Sequence, residues 1–302
     1  MQKAEKKAKI ITDETLRETV SHGNEEYPFC YYLEDVWEFD LHCIDWHWHP
    51  EIEFVFVQKG TVTFLVGSER YVLTAGNGIF INSQILHRFE ADETAVIPNI
   101  VFSPSLLSSK GSLIYEKYIE PVLHAPMDCL ILSPDLPWQK TALDELLSVF
   151  SLQETAEPDE LQTVQLLLKL WGTLYAHIPA AGSDSPSKGS AYDQARLQIM
   201  LQYIHANYPQ PVSLDDIART VTLSKSSVLH IFHQYLHISP VNYLIRYRLK
   251  RAARLLVSTE SSIFSIAQST GFESPGYFCR KFKELYQMTP GEYRKRKGDG
   301  MS

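Results

Sequence analysis

Near the C-terminus, Gly276, Cys279, Arg280 and Lys283 recur at steps that put them on one side of a helix. Phe278 and Phe282 are four apart, share the opposite face and pack inward. Arginine can pair bidentately with guanine O6 and N7, and lysine suits phosphate oxygens, so this outer face suits double-stranded DNA. A second outward set, Lys225, Ser226, Leu229, His230 and His233, lies upstream. Ser226 and His230 are shorter donors, and Leu229 can meet a thymine methyl.

Such side chains read DNA only when short helices present them. Ile266-Ala267 closes one helix, Gly271-Phe272 turns the chain, and Ser274 caps a second helix with Pro275 at its first position. This is a helix-turn-helix whose second helix fits the major groove. The design occurs twice. A shift of 50 residues superposes Ser224 on Ser274, Phe232 on Phe282, Pro240 on Pro290 and Tyr243 on Tyr293. Ile217-Ala218 lies 49 residues before Ile266-Ala267, so one turn carries an extra residue. Val241, Leu244, Ile245, Leu249, Ala252, Ala253 and Leu256 predict one connecting helix, with Arg246, Arg248, Lys250, Arg251 and Arg254 largely off its apolar stripe.

Residues 195–297 resemble the DNA-binding domain of AraC/XylS-type transcription regulators. The resemblance rests on Ile217-Ala218, Ser224, Phe232, Ser239-Pro240, Tyr243, Gly271-Phe272, Tyr277-Phe278, Arg280, Phe282-Lys283, Thr289-Pro290 and Tyr293-Arg294. It implies base contacts at Gly276 and Arg280. His237 and Gln287 stand where the family usually has glycine, which predicts strained, slightly altered turns and an intact fold.

Charge separates the two ends of the chain. Residues 193–302 hold 15 Lys and Arg against 8 Asp and Glu, a net +7, while the remainder carries −15. The basic third is therefore the expected nucleic-acid partner. The polar N-terminus has no signal-peptide core and no apolar run is long enough to span a membrane, so a cytoplasmic protein without membrane contact is expected. Cys30, Cys43, Cys129 and Cys279 follow no metal-ligand or disulfide spacing and are expected to be reduced thiols.

Upstream, Glu53–Val57, Thr61–Val66, Arg70–Leu73 and Ile79–Ile81 read as short strands separated by glycine turns, an antiparallel sandwich or barrel. His47-Trp-His49-Pro-Glu-Ile-Glu53 with Gly60 resembles the first motif of the cupin superfamily, and Gly76 with His87 the second, although Asn82 and Gln84 replace its usual Pro and Gly. In an extended strand His47 and His49 face one way, and Glu53 and His87 on neighbouring strands complete a cluster. Two readings stay open. The set suits a divalent transition metal, as in catalytic cupins. Alternatively, as in sugar-responsive regulators, the four residues line a small-molecule pocket with Trp48 stacked on the ligand, and no metal or other cofactor is needed.

Beyond the strands, Thr141–Leu152 and Glu160–Ile178 read as helices, the second with Leu161, Val164, Leu168, Trp171, Tyr175 and Ile178 at coiled-coil spacing. That spacing predicts a homodimer. The Gly-, Pro- and Ser-rich run from Pro179 reads as a linker. The expected chain is thus an α+β two-domain protein. It has a polar arm over 1–29, a cupin-like antiparallel β-barrel for the effector over 30–120, a helical dimerisation region over 121–178, a linker over 179–194, and an all-α domain of two helix-turn-helix units over 195–297. The expected function is a non-enzymatic, ligand-responsive transcription activator. Its partners would be DNA, RNA polymerase and a small-molecule effector, with a sugar as the first expectation from the resemblance. The alternative is a metal-dependent cupin enzyme fused to a DNA-binding domain.

Overall fold

The computed structural model describes residues 10–178 and 189–298. The chain divides after Gly189 into two compact units.

The first unit is a two-sheet sandwich with strands β1 (Phe29–Asp35), β2 (Cys43–His47), β3 (Ile52–Phe56), β4 (Thr61–Val66), β5 (Glu69–Thr74), β6 (Gly78–Ile81), β7 (His87–Glu90) and β8 (Val96–Phe102). A short helix α1 (Glu120–Leu123) and a ninth strand β9 (Cys129–Leu132) follow. One sheet has the order β1-β8-β3-β6-β9 and the other β2-β7-β4-β5. Every pairing between these strands is antiparallel. The β4–β5 hairpin closes through Gly67-Ser68 with Gly67 at φ +57°, where a side chain would be strained.

Strand β3 is buried on both faces, which is why it reads as a continuous apolar run. Val55 points into the space between the sheets with Phe64, Ile79 and Phe89. Phe54 points the other way, against helices α2 (Pro137–Gln153) and α3 (Glu160–Tyr175), where Leu143, Leu146, Leu167, Leu170, Trp171 and Leu174 close a second apolar layer. Alternation therefore puts Glu53, two residues from Val55, inside the sandwich.

One expectation needs correction here. The region 121–178 is not wholly helical, because β9 completes the five-stranded sheet by pairing with β6. Its Leu-Ile-Leu run is too short to show a period. The apolar residues of α3 also divide. Trp171 is buried on its own barrel, its indole N–H donating to Tyr118 O at 2.9 Å, whereas Leu161 and Leu168 stay 70% and 43% exposed.

The second unit is helical: α4 (Gly189–Asn207), α5 (Leu214–Thr220), α6 (Lys225–Leu236), α7 (Pro240–Ser258), α8 (Ile263–Ser269), α9 (Pro275–Tyr286) and α10 (Pro290–Gly298). Residues 189–194, assigned above to the linker, form the first turns of α4. The rest of that linker, 179–188, lies outside the described residues. Ser213, Ser224, Ser239, Ser262 and Ser274 each cap a helix by accepting a backbone N–H, at about 1 kcal/mol per cap. The extra residue is in the second turn. Four residues separate α5 from α6 and five separate α8 from α9.

Arg248 departs from its expected place. It is half-buried and donates to Tyr208 O and Gln210 O, both at 2.7 Å, so it ties α7 to the end of α4. His237 and Gln287 both adopt the left-handed conformation, at φ +54° and +57°, and close their helices through N–H bonds to His233 O and Lys283 O. The turn geometry that favours glycine is kept.

Candidate functional site

Four elements bring the histidine cluster together. His47 ends β2 opposite His87 at the start of β7, and a register shift between Ile44 and His47 breaks the strand's alternation just before it. Such a bulge re-aims a side chain. His49 follows in the loop, and Glu53 comes from the inner face of β3. All four are buried, at 1–4% exposure.

Each ring is fixed by its Nδ1. His47 Nδ1 lies 2.7 Å from Asp45 O, His87 Nδ1 2.8 Å from Ile85 O, and His49 Nδ1 3.2 Å from Glu51 O. A carbonyl oxygen only accepts, which assigns the proton to Nδ1 and turns a bare Nε2 inward. Backbone-anchored Nδ1 with Nε2 left for a ligand is the usual arrangement of metal-binding histidines. His49 Nε2 and His87 Nε2 lie 3.6 and 3.2 Å from Glu53 Oε2, and the ligand atoms of the four residues are all within 4.8 Å of one another.

The electrostatics ask for a positive charge at the centre. Burial holds the His47 imidazole down to about 3, with His87 adding to it, and burial also lowers His49. Burial raises the Glu53 carboxyl, but His49 and His87 outweigh it and keep that group below the usual carboxylate range. That help requires a proton or a cation between ring and carboxylate. With neutral rings, His87 Nε2 and Glu53 Oε2 face each other as acceptors, and neither makes a hydrogen bond. Three imidazole nitrogens and one carboxylate fit a divalent transition metal. The space in which a water-sized body can be centred among these side chains is about 10 Å³, room for one such body.

Trp48 is not in this cavity. Alternation turns it away from His47 and His49, and its indole N–H donates to Thr15 O at 2.9 Å while Arg17 lies over the ring. Conversely, Glu18, His22, Glu34 and Asn99 line the cavity and were not anticipated. Their segments carry no motif, and only long-range folding brings them in.

The second unit presents the expected basic faces. On α9, Gly276, Arg280 and Lys283 are exposed, and the Arg280 guanidinium lies over the Tyr277 ring and 3.9 Å from Glu284 Oε1. Cys279 is partly buried against the core and offers less to DNA than its spacing suggests. On α6, Lys225, Ser226, His230 and His233 are exposed and Leu229 is half-buried. Lys225 pairs with Asp215 at 2.7 Å in the open, a contact of little energetic weight that DNA phosphates can replace. Phe278 and Phe282 are fully buried, which holds this face outward.

A helix-turn-helix domain model matches residues 217–296 and a cupin domain model residues 43–101. The uncharacterized HTH-type transcriptional regulator YdeC of Bacillus subtilis is 29% identical over 288 residues, covering 95% of this chain and 98% of that protein. The HTH-type transcriptional activator RhaR of Mannheimia succiniciproducens is 25% identical over 252 residues, covering 83% and 87%. Among solved structures, an AraC-type DNA-binding-domain regulator from Chromobacterium violaceum is 34% identical with a TM-score of 0.34, covering 35% of this chain and 96% of that one.

Proposed function

We propose that this chain, an AraC-type DNA-binding transcription regulator with a cupin domain ahead of its helix-turn-helix domain, takes its signal as a divalent transition-metal ion held by His47, His49, Glu53 and His87. One observation carries the reading: three Nδ1-anchored imidazoles turn bare Nε2 atoms on a buried carboxylate, around a space fit for a single small body. That space argues against the sugar expected from the resemblance. It equally disfavours the cupin-enzyme reading, which needs room for substrate beside the same ligands. The metal would supply the positive charge that the cluster's carboxylate lacks.

In this reading the ion shifts the balance between two states of the chain that bind it unequally, and the two helix-turn-helix units read DNA in one of them. Resemblance to an activator such as RhaR favours activation through RNA polymerase, in the cytoplasm. The exposed Leu161 and Leu168 on α3 support a homodimer. Leu161→Glu with Leu168→Glu should then sediment as a folded monomer, and an unchanged dimer would remove this surface from the proposal.

Metal analysis of the purified chain, paired with a promoter reporter, tests the function. The wild type is expected to hold about one Mn, Fe, Co, Ni or Zn per chain. His47→Ala and His87→Ala should lose the ion and the reporter's response to metal while still binding DNA. Metal-free protein that responds normally to its inducer would sink the proposal.

A further inference from the structure

The N-terminal segment from Ile10 to Tyr27 has no regular element, yet it carries a carboxylate and an imidazole into the interior. Glu18 is 6% exposed and His22 4%. The chain aims them by specific means. Asp13 Oδ1 accepts from the backbone N–H of Thr15 and Arg17, at 2.7 and 3.1 Å, and Leu16 takes the left-handed φ of +67°, unusual for a branched side chain. The segment then pairs with Trp48: Trp48 N–H donates to Leu16 O at 3.0 Å and Glu18 N–H to Trp48 O at 2.9 Å. Burying the His22 Nε2 with no hydrogen-bond partner is unfavourable unless something meets it.

Neither helix nor strand demands Glu18 or His22, but the histidine cluster lies next to both. Glu18, His22 and His49 form a second group whose ligand atoms lie within 4.8 Å of one another. His22 Nδ1 is held by the Tyr32 hydroxyl at 2.9 Å. His22 Nε2 is buried without a hydrogen-bond partner, 3.3 Å from Glu18 Oε2. His49 belongs to both groups, and with its Nδ1 facing Glu51 O its Nε2 is the nitrogen left for an ion. A shared nitrogen means one ion, not two. Four protein ligands leave a six-coordinate ion two positions short.

We propose that Glu18 and His22 are further ligands for the ion of the histidine cluster, so that its occupancy fastens residues 10–22 to the barrel. This rests on the metal reading above and adds that the N-terminal segment reports whether the site is filled.

The test uses the full-length chain, stripped with chelator and reloaded with Mn²⁺ alone, an ion that takes six ligands. Affinity is read by competition with a chromophoric chelator, and backbone amide exchange is followed over residues 11–22. In the wild type, Mn²⁺ should slow exchange over 11–22 about tenfold or more. Glu18→Gln with His22→Gln should still bind one Mn²⁺ through the other four residues, at least about tenfold more weakly, and Mn²⁺ should no longer slow exchange there. Wild-type protein that binds Mn²⁺ with unchanged exchange over 11–22 overturns this inference alone, and needs no variant to fold. A double variant with wild-type affinity and slowing does the same. Wild-type protein that binds no Mn²⁺ overturns both this inference and the metal reading.

Discussion

Arg280 and Lys283 share an exposed helix face but should do different work on DNA. Arg280 is oriented by the Tyr277 ring, and its fork can meet guanine with about 1–3 kcal/mol of discrimination. Lys283, a point charge one turn further, suits phosphate. Site selection with Arg280→Ala should show relaxed preference at one position and a nearly unchanged salt slope. Lys283→Ala should weaken binding evenly across sequences and reduce that slope by about one. If Arg280→Ala selects the wild-type sites, its base contact is wrong. The cluster's own titration gives a second prediction, for chelator-stripped protein. His47 falls from 6.5 in the unfolded chain to about 3 in the folded one, so the unfolded state binds the extra proton between those values. Stability is therefore present above about pH 6.5 and is lost as pH falls toward 3, at about 1.4 kcal/mol per unit for this imidazole. Urea midpoints from pH 7 to 5 should fall less steeply in His47→Asn, and equal slopes would contradict the burial argument.

Among the elements, the repeated turns of the second unit store strain unequally. The downstream turn uses Gly271 at φ +85°, where a Cβ would meet Tyr208 O at 2.6 Å. The matching residue of the upstream turn is Thr222 at φ +53°, costly for a β-branched side chain. Gln287 bears a similar cost at the end of α9. Thr222→Gly and Gln287→Gly should each stabilise the chain by about 1 kcal/mol, and Gly271→Ala should destabilise it by more than that. Thermal melts of the three variants decide the matter, and a lower melting temperature for both glycine variants would refute the strain.

For the whole molecule, the division of charge and the division of fold fall in nearly the same place. The chain separates into units after Gly189, close to where its charge turns from acidic to basic. Residues 189–302 expressed alone should therefore fold as a helical domain and bind DNA, because every helix from α4 to α10 lies within them. A circular dichroism spectrum without helix would show that the second unit depends on the first. Among the described residues no helix is long and apolar enough to cross a membrane.

What the sequence determined by itself was local. The duplicated helix-turn-helix was legible because a serine cap, a proline at the first position, and Phe278 and Phe282 four apart act within a turn or two of chain. The same holds in part for His47 and His49, which stand two residues apart, and for Glu53, which alternation along β3 turns inward. Tertiary structure decided what depends on convergence. It put His87 against His47 through a bulged pairing and added β9 to the sheet. It also folded Glu18 and His22 inward and shrank the pocket to the size of one small body. None of these has a short-range signal, because each is set by which distant segments compete to fill the same buried space.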